Sequence, residues 1–468
     1  MRVVIAGGGM AGTRLAAEIR QRDADVAVTV FGTETRRPYN RVLLSNVLAG
    51  TASADQVCLP APGGGVTARL GVTVTAVDRA SRTVRTSAGD VEPYDVLVLA
   101  TGSEPVVPPI PGAARAIAFR TMDDCDRIIA AAANTPGAVV VGGGLLGVEA
   151  ARGLAGRGLH VTLLHHGAHL MERQLDAEAG LVLEEALTAL GVTVRTGVRV
   201  SAIHPHGAEL STGELLESGL VVLACGVRPV VGLARDAGLP VDRGIIVDDH
   251  MRTADPAIYA IGECAQHDGT VYGLVAPAWE QAAVVADLVT GAVPEARYRG
   301  SRLVTRLKAR SIELAAMGET HLTDDPGDAG GAVEVVCFSH RARGIYRKLV
   351  IRNDRLVGAI LLGEAPTVGT LTQLYDRGAH LPGDPAGLLF NGLDAATPAD
   401  SPLRMPDSAR VCECNNVTKG RIRACWEKGA RDAAAVVAAT RATTGCGTCR
   451  DAVEGLVEWL SQQEEVRA

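Results

Sequence analysis

Four of the ten cysteines in this 468-residue chain fall in two tight pairs, Cys412-Glu413-Cys414 and Cys446-Gly447-Thr448-Cys449. Two thiolates one or two residues apart can face a single centre, and two such pairs close a four-thiolate site. Tetrahedral zinc and an iron–sulfur cluster both accept that donor set. Zinc sites commonly join two CxxC pairs, whereas a CxC partnered over so long a spacer suits a 2Fe–2S cluster better. Cys412, Cys414, Cys446 and Cys449 are the expected ligands. Residues 445–449 are expected at a helix N-terminus, whose dipole favours a negatively charged cluster. Cys425, beside Trp426, is expected to pack and not to ligate. Cys58, Cys125, Cys225, Cys264 and Cys337 stand alone and are expected as buried small hydrophobes.

A second chemistry-bearing pattern occurs twice. Gly7, Gly9 and Gly12 follow the apolar run Val3-Val4-Ile5-Ala6, and Gly142, Gly144 and Gly147 follow Ala138-Val139-Val140-Val141. Each triad opens a helix-like stretch (13–20, 148–157) and returns to a β-rich segment (26–31, 160–164). Strand, glycine turn, helix and strand, written twice, imply two dinucleotide sites. The glycines allow the tight turn, the close approach of backbone to a pyrophosphate, and helix–strand packing. The diphosphate then lies against free N–H groups at the helix N-terminus. Met10 and Ala11 in the first turn, and Leu145 and Leu146 in the second, share that role.

Strand ends extend both sites. Glu34 follows the second strand of the first unit, where an acid suits the adenosine ribose hydroxyls of FAD; a solvated turn Glu is the alternative. In the second unit His165 and His166 hold the equivalent place, which leaves the 2′-hydroxyl of NADH without a carboxylate. His165, His166 or Arg173 could instead meet the 2′-phosphate of NADPH, or the two histidines could be exposed turn residues without a role. YDVLVLATGS (94–103) leads to Thr101-Gly102, LVVLACGVRP (220–229) to Gly226, and DPAIYAIGECA (255–265) to Gly262-Glu263. Glu263 is placed to bond the ribityl hydroxyls of a flavin, or is an ordinary strand-end Glu. Pro277, Trp279 and Glu280 fall where the next helix should pass close to the isoalloxazine.

These elements need positioning domains, and the composition supports them. Apolar residues make up 47% and charged residues 21%, a balance that can bury large cores. Lys and Arg number 46 against 53 Asp and Glu, a net charge of −7 that argues against nucleic acid. No stretch has the apolar length to span a bilayer. The opening MRVVIAGGG carries no signal-peptide pattern, so the cytoplasm is expected. The predicted fold is α/β, with two Rossmann-like dinucleotide-binding domains, an α+β third domain and a small helical 2Fe–2S domain at the C-terminus. The expected boundaries are 1–115 with 240–302 for FAD, 116–239 for NAD(P)H, 303–390 for the third domain and 409–468 for the cluster. Residues 391–408, rich in Ala, Pro, Asp and Ser, form a linker whose flexibility would let the cluster swing. In the last domain one helix is expected over 419–428 and a second from near Cys449.

Residues 1 to about 390 resemble the flavin and pyridine-nucleotide half of the large subunit of NAD(P)H-dependent assimilatory nitrite reductases. The matching runs are PYNRVLLSNVLAG, VVVGGGLLGVEAA, GVRP, TADPAIYAIGECA, YGLVAP and IYRKLVI. VCECNNVTKG and TGCGTC resemble the 2Fe–2S domain of bacterioferritin-associated ferredoxins. The first likeness implies the pyridine nucleotide-disulfide oxidoreductase architecture, with FAD and NADH or NADPH as coenzymes. It also implies a flavin-proximal place for Arg41 and Ser45, a nicotinamide-proximal place for Glu149 (a plain helix-surface Glu being the alternative), and a carboxylate where His165 stands. No catalytic side chain is implied as obligatory, Arg41 and Glu149 being modulators at most. Many such flavoproteins carry a redox cysteine in the stretch that here reads Asn40-Arg41-Val42-Leu43-Leu44-Ser45, so disulfide reduction is not expected. The nitrite reductases continue into a sirohaem domain and this chain stops at Ala468, which makes it similar to the electron-transfer subunit of assimilatory nitrate reductase. The implied partner is a molybdenum-dependent nitrate reductase catalytic subunit. Two alternatives stand: a reductase for a separate nitrite reductase, ferredoxin, rubredoxin or oxygenase, and a non-catalytic flavin- and cluster-binding sensor.

Overall fold

The computed structural model describes residues 1–61, 63–309, 311–324, 333–363, 367–381, 383–390, 406–412, 417–443 and 449–465. Two compact units make it up: Met1–Ala131 with Val222–Ser301, and Ala132–Val221 with Arg302–Ala468.

In the first unit the β-branched run of β1 (Arg2–Ala6) forms a buried strand, followed by α1 (Met10–Arg22) and β2 (Ala27–Gly32). β1 pairs in parallel with β2 on one side and with β4 (Val96–Leu99) on the other. β3 (Val66–Leu70) extends the sheet beyond β2, and the strand Ile258–Ala260 extends it beyond β4, both in parallel. Val3, Val4, Ile5, Leu97, Val98 and Leu99 are all buried, as a parallel sheet covered on both faces requires. The long helix Val275–Thr290 packs against α1 and ends at Gly291 in the left-handed conformation. Short α2 (Leu44–Leu48) and α3 (Met122–Ala132) meet where Cys125 Sγ donates to the Leu44 carbonyl at 3.8 Å.

The second unit repeats the motif. β5 (Gly137–Val141), α4 (Leu145–Ala155), β6 (His160–Leu164), α5 (Ala177–Ala189) and β7 (Val192–Arg195) follow one another, and the three strands pair in parallel in the order β7-β6-β5. A five-stranded antiparallel sheet comes next: β8 (Val304–Ala309), β9 (Ile312–Gly318), β10 (Val333–His340), β11 (Ile345–Arg352) and β12 (Arg355–Leu362), in the order β8-β9-β12-β11-β10. On β11, Leu349 and Ile351 enter a core with Met317, Leu361 and residues Leu371 and Tyr375 of α6 (Val368–Arg377). Tyr346 and Lys348 alternate with them and serve the opposite face. There Asp176, the N-cap of α5, accepts hydrogen bonds from Tyr346 Oη at 2.7 Å and Lys348 Nζ at 3.0 Å. Lys348 is only 4% exposed, so this carboxylate is what makes its charge tolerable.

The tail holds three helices among the described residues, not two: α7 (Lys419–Glu427), α8 (Ala433–Thr440) and α9 (Arg450–Glu465). The unexpected α8 is an alanine-rich turn that Asp432 caps by accepting from Ala435 N at 2.7 Å. Its three helices enclose a separate core of Ile422, Trp426, Val436, Val453, Leu456 and Leu460. Most of the expected linker, residues 391–405, lies outside the described residues. No helix among the described residues is long and apolar enough to cross a membrane.

Candidate functional site

Both glycine turns leave a helix N-terminus open. α1 starts at Gly9 and α4 at Gly144; neither has a capping side chain, and neither has an acid in its first turn. Their leading N–H groups are therefore available to an anion. A side chain at Gly9 or Gly144 would meet no atom within 4 Å, whereas one at Gly12 would run into the Gly7 carbonyl. Gly7 itself has φ +131 and lies against the Ala100 backbone at the end of β4, a position no L side chain can share. Open space at the middle glycine and tight packing at its neighbours form a cradle for a diphosphate.

Around the first turn the predicted residues gather within one unit. Glu34 pairs with Arg41 and accepts a hydrogen bond from Tyr39 Oη at 2.7 Å, while Met122 N donates to that same Tyr39 oxygen at 2.9 Å. Burial and the Glu34 contact push the Tyr39 phenol up, so it stays a donor. Arg41 Nη1 donates to the Arg120 carbonyl at 3.3 Å. Arg120 Nη2 in turn donates to Glu263 Oε2 at 2.6 Å and to Ser103 Oγ at 2.6 Å. Thr101 Oγ1 donates to the Val230 carbonyl at 2.7 Å, and Gly102 O accepts from Val230 N. Gly262 N donates to Gln281 Oε1 at 2.7 Å, on the same helix as buried Pro277 and Trp279. Glu280 accepts from Ser301 Oγ at 2.5 Å. Ser45 Oγ, Arg120 Nε and Gln281 Nε2 are buried and make no hydrogen bond. Orphaned polar atoms beside a diphosphate cradle are what a flavin dinucleotide would satisfy, so the donor set fits FAD.

Tyr39, Ser103, Arg120 and Gln281 are absent from the sequence reading. Tyr39 lies inside the PYNRVLLS run and was within reach of it. Arg120 and Glu263 meet across 143 residues of chain, and nothing local to either announces the pair.

Around the second turn His165 is not the exposed turn residue of one alternative. It is 8% exposed, and its Nδ1 accepts the Gly143 N–H at 3.1 Å. Burial pushes its pKa below the usual histidine value, against the pull of Glu172. His166 and Arg173 remain exposed. Glu149 is 3% exposed on α4, so it is no helix-surface residue. Gly226, expected with this turn, falls in the first unit at φ +94.

In the tail Cys412 and Cys449 are 1% and 6% exposed in one core, and Thr443 N donates to Cys449 Sγ at 3.2 Å. Cys414 and Cys446 lie outside the described residues. Two buried sulfurs, one of them accepting a backbone N–H, fit thiolate ligation of a cluster. Cys425 is half-buried beside the buried Trp426. Cys125 and Cys264 are buried as expected, but Cys58 and Cys225 are only half-buried and Cys337 is exposed. Cys337 sits on β10, the edge strand of its sheet.

A fold with two open glycine turns and a cysteine-bearing tail defines a two-nucleotide redox protein. The chain belongs to the pyridine nucleotide-disulphide oxidoreductase family, which it matches over residues 1–283. Residues 304–378 match the rubredoxin NAD+ reductase C-terminal domain, and residues 410–459 the BFD-like [2Fe-2S] binding domain. FAD, NAD(P)H and a 2Fe–2S cluster are the cofactors of that set. Nitrite reductase [NAD(P)H] of Bacillus subtilis is 38% identical over 98% of this chain and 57% of its own length. The assimilatory nitrate reductase electron transfer subunit of the same organism is 36% identical over 99% and 60%. The chain thus spans less than two thirds of either. Among solved structures, the covalent putidaredoxin reductase–putidaredoxin complex aligns with a TM-score of 0.75 and 27% identity, covering 83% of this chain and 96% of that one.

Proposed function

We propose that this protein oxidises NAD(P)H and passes the electrons, through FAD and a 2Fe–2S cluster, to a separate catalytic protein in the cytoplasm. That partner is the molybdenum-dependent catalytic subunit of assimilatory nitrate reductase. The observation that carries the reading is one chain bearing two uncapped glycine-turn helices and a tail matching a 2Fe–2S binding domain. The similarity to a nitrate reductase electron transfer subunit supports the choice of partner.

Bound FAD and cluster supply, respectively, exchange of two electrons with a nicotinamide and storage of one. The chain's own residues bind and orient. The turn of Gly7, Gly9, Met10, Ala11 and Gly12 holds the flavin diphosphate on its N–H groups, and Glu34 the adenosine ribose. Arg120 fixes Glu263 toward the ribityl chain, with Arg41, Ser45, Thr101, Gly102, Gly262 and Pro277 around the flavin. Gly142, Gly144, Leu145, Leu146 and Gly147 hold the nicotinamide coenzyme's diphosphate, with Glu149 nearer its ring. Cys412, Cys414, Cys446 and Cys449 ligate the cluster. The working domains are 1–115 with 240–302, 116–239, 303–390 and 409–468.

A second reading, supported by the 38% identical relative, gives a nitrite-reducing partner instead. The two separate in one reconstitution. The purified protein with NADH and a nitrate reductase catalytic subunit should accumulate nitrite from nitrate. Consumption of nitrite with a sirohaem partner, and no nitrate reduction, would establish the second reading. Transfer to neither would leave the sensor alternative.

A further inference from the structure

The carboxylate missing from the end of β6 is restored seven positions later. Gly143, inside the second glycine turn, is tied down from two sides. Its N–H donates to His165 Nδ1, and its carbonyl accepts from Met171 N at 2.9 Å. The loop after β6 is thereby folded back onto the turn, which brings the next residue, Glu172, to its edge. Glu172 lies over Gly167, where its carboxylate fills the space a side chain would need. Its Oε1 accepts from Ala168 N at 2.8 Å, and its Oε2 stands 3.5 Å from His165 Nε2. The side chain is still 39% exposed. A carboxylate has about four acceptor sites, and only one is used by a hydrogen bond of good length.

We infer that Glu172 is the specificity-determining residue of the second dinucleotide site and selects NADH over NADPH. The inference rests on the reading of the Gly142–Gly147 turn as the pyridine-nucleotide site. In such βαβ units a carboxylate at the end of the second strand accepts from the adenosine ribose 2′-hydroxyl. Here the strand end is occupied by a histidine that faces inward to the turn. The loop supplies the acceptor in its place. A 2′-phosphate at that spot would bring further negative charge against a carboxylate that the Ala168 N–H holds below its usual pKa despite partial burial. His165 brings no compensating positive charge, because its Nδ1 accepts from the backbone and burial pushes its pKa down.

The test compares NAD+ and NADP+ binding by calorimetry, and kcat/KM for NADH and NADPH with ferricyanide, in the FAD-loaded wild type, Glu172→Gln and Arg173→Ser. The wild type should favour the NAD form at least tenfold. Glu172→Gln keeps an oxygen for Ala168 N but loses the charge. It should weaken the NAD form and strengthen the NADP form, moving the ratio by about tenfold. Arg173→Ser should leave the preference for NAD in place. A ratio within twofold of wild type in Glu172→Gln, with turnover intact, overturns the inference alone. A wild type that favours the NADP form, or an Arg173→Ser variant that loses only NADP binding, overturns it in favour of a phosphate-binding loop. Absence of binding or turnover with either nucleotide in the wild type overturns the site reading as well.

Discussion

Replacing Gly144 by Asp should separate nucleotide binding from stability. Gly144 is the N-cap of α4 with φ −77 and ψ −179, an extended conformation open to any residue, and a side chain there meets nothing within 4 Å. Aspartate is among the best N-caps and α4 has none, so the helix should gain a few tenths of a kcal/mol. For a dinucleotide the same carboxylate is a barrier. Placed about 4 Å from a phosphate at an effective dielectric near 20, it costs about 4 kcal/mol per charge pair. Partial exposure reduces this, so a rise of about 100-fold in KM for NAD(P)H is expected. The assay is ferricyanide reduction by the FAD-loaded variant, alongside its melting temperature and flavin content. Unchanged melting and flavin with a KM within threefold of wild type would refute the placement of the diphosphate. A collapse in melting temperature would refute the open space at Gly144.

Further outcomes follow from the same geometry. Asp176→Ala should destabilise the second unit by about 3–5 kcal/mol, because Lys348 is left as a buried unpaired charge, and Asp176→Asn should cost less by keeping the cap on α5; denaturant midpoints check both. His165 has a folded pKa below its ordinary 6.5, so the folded state binds fewer protons than the unfolded. The stability it contributes is complete above about pH 6.5 and lost as pH falls below that value; His165→Asn, which keeps an acceptor for Gly143 N, should flatten melting temperature between pH 7 and 5. Glu263→Ala should lower flavin retention about tenfold on dialysis, since it removes the acceptor that Arg120 orients. Cys412→Ser and Cys449→Ser should abolish bound iron while leaving NADH–ferricyanide turnover near wild type.

Much of this arrangement is legible in the sequence where the signal is local. The glycine triads locate both open helix N-termini, because a turn of that tightness is written in adjacent residues. Strand β6 falls on 160–164 as predicted, and the runs around 345–362 become antiparallel strands. What the sequence hides is contact at a distance. Arg120 reaches Glu263 and Tyr39 reaches Met122 only after the sheet is assembled. The burial of His165 against Gly143 follows only from the folded loop, and Glu172 carries no motif at all. Helix α8 was missed because a short alanine-rich run has no amphipathic period to detect, although Asp432 marks its start. Cys337 looks like any isolated cysteine until the strand order leaves β10 at an edge.

The most direct test of electron flow through this one chain is an anaerobic titration of the purified protein with NADH, followed by flavin absorbance and low-temperature electron paramagnetic resonance. Bleaching of the flavin and then the signal of a reduced 2Fe–2S cluster are expected, the latter lost in Cys412→Ser and both needing far more NADH in Gly144→Asp. A protein that bleaches its flavin but never develops a cluster signal, or that carries zinc in place of iron and sulfide, would contradict that electron flow.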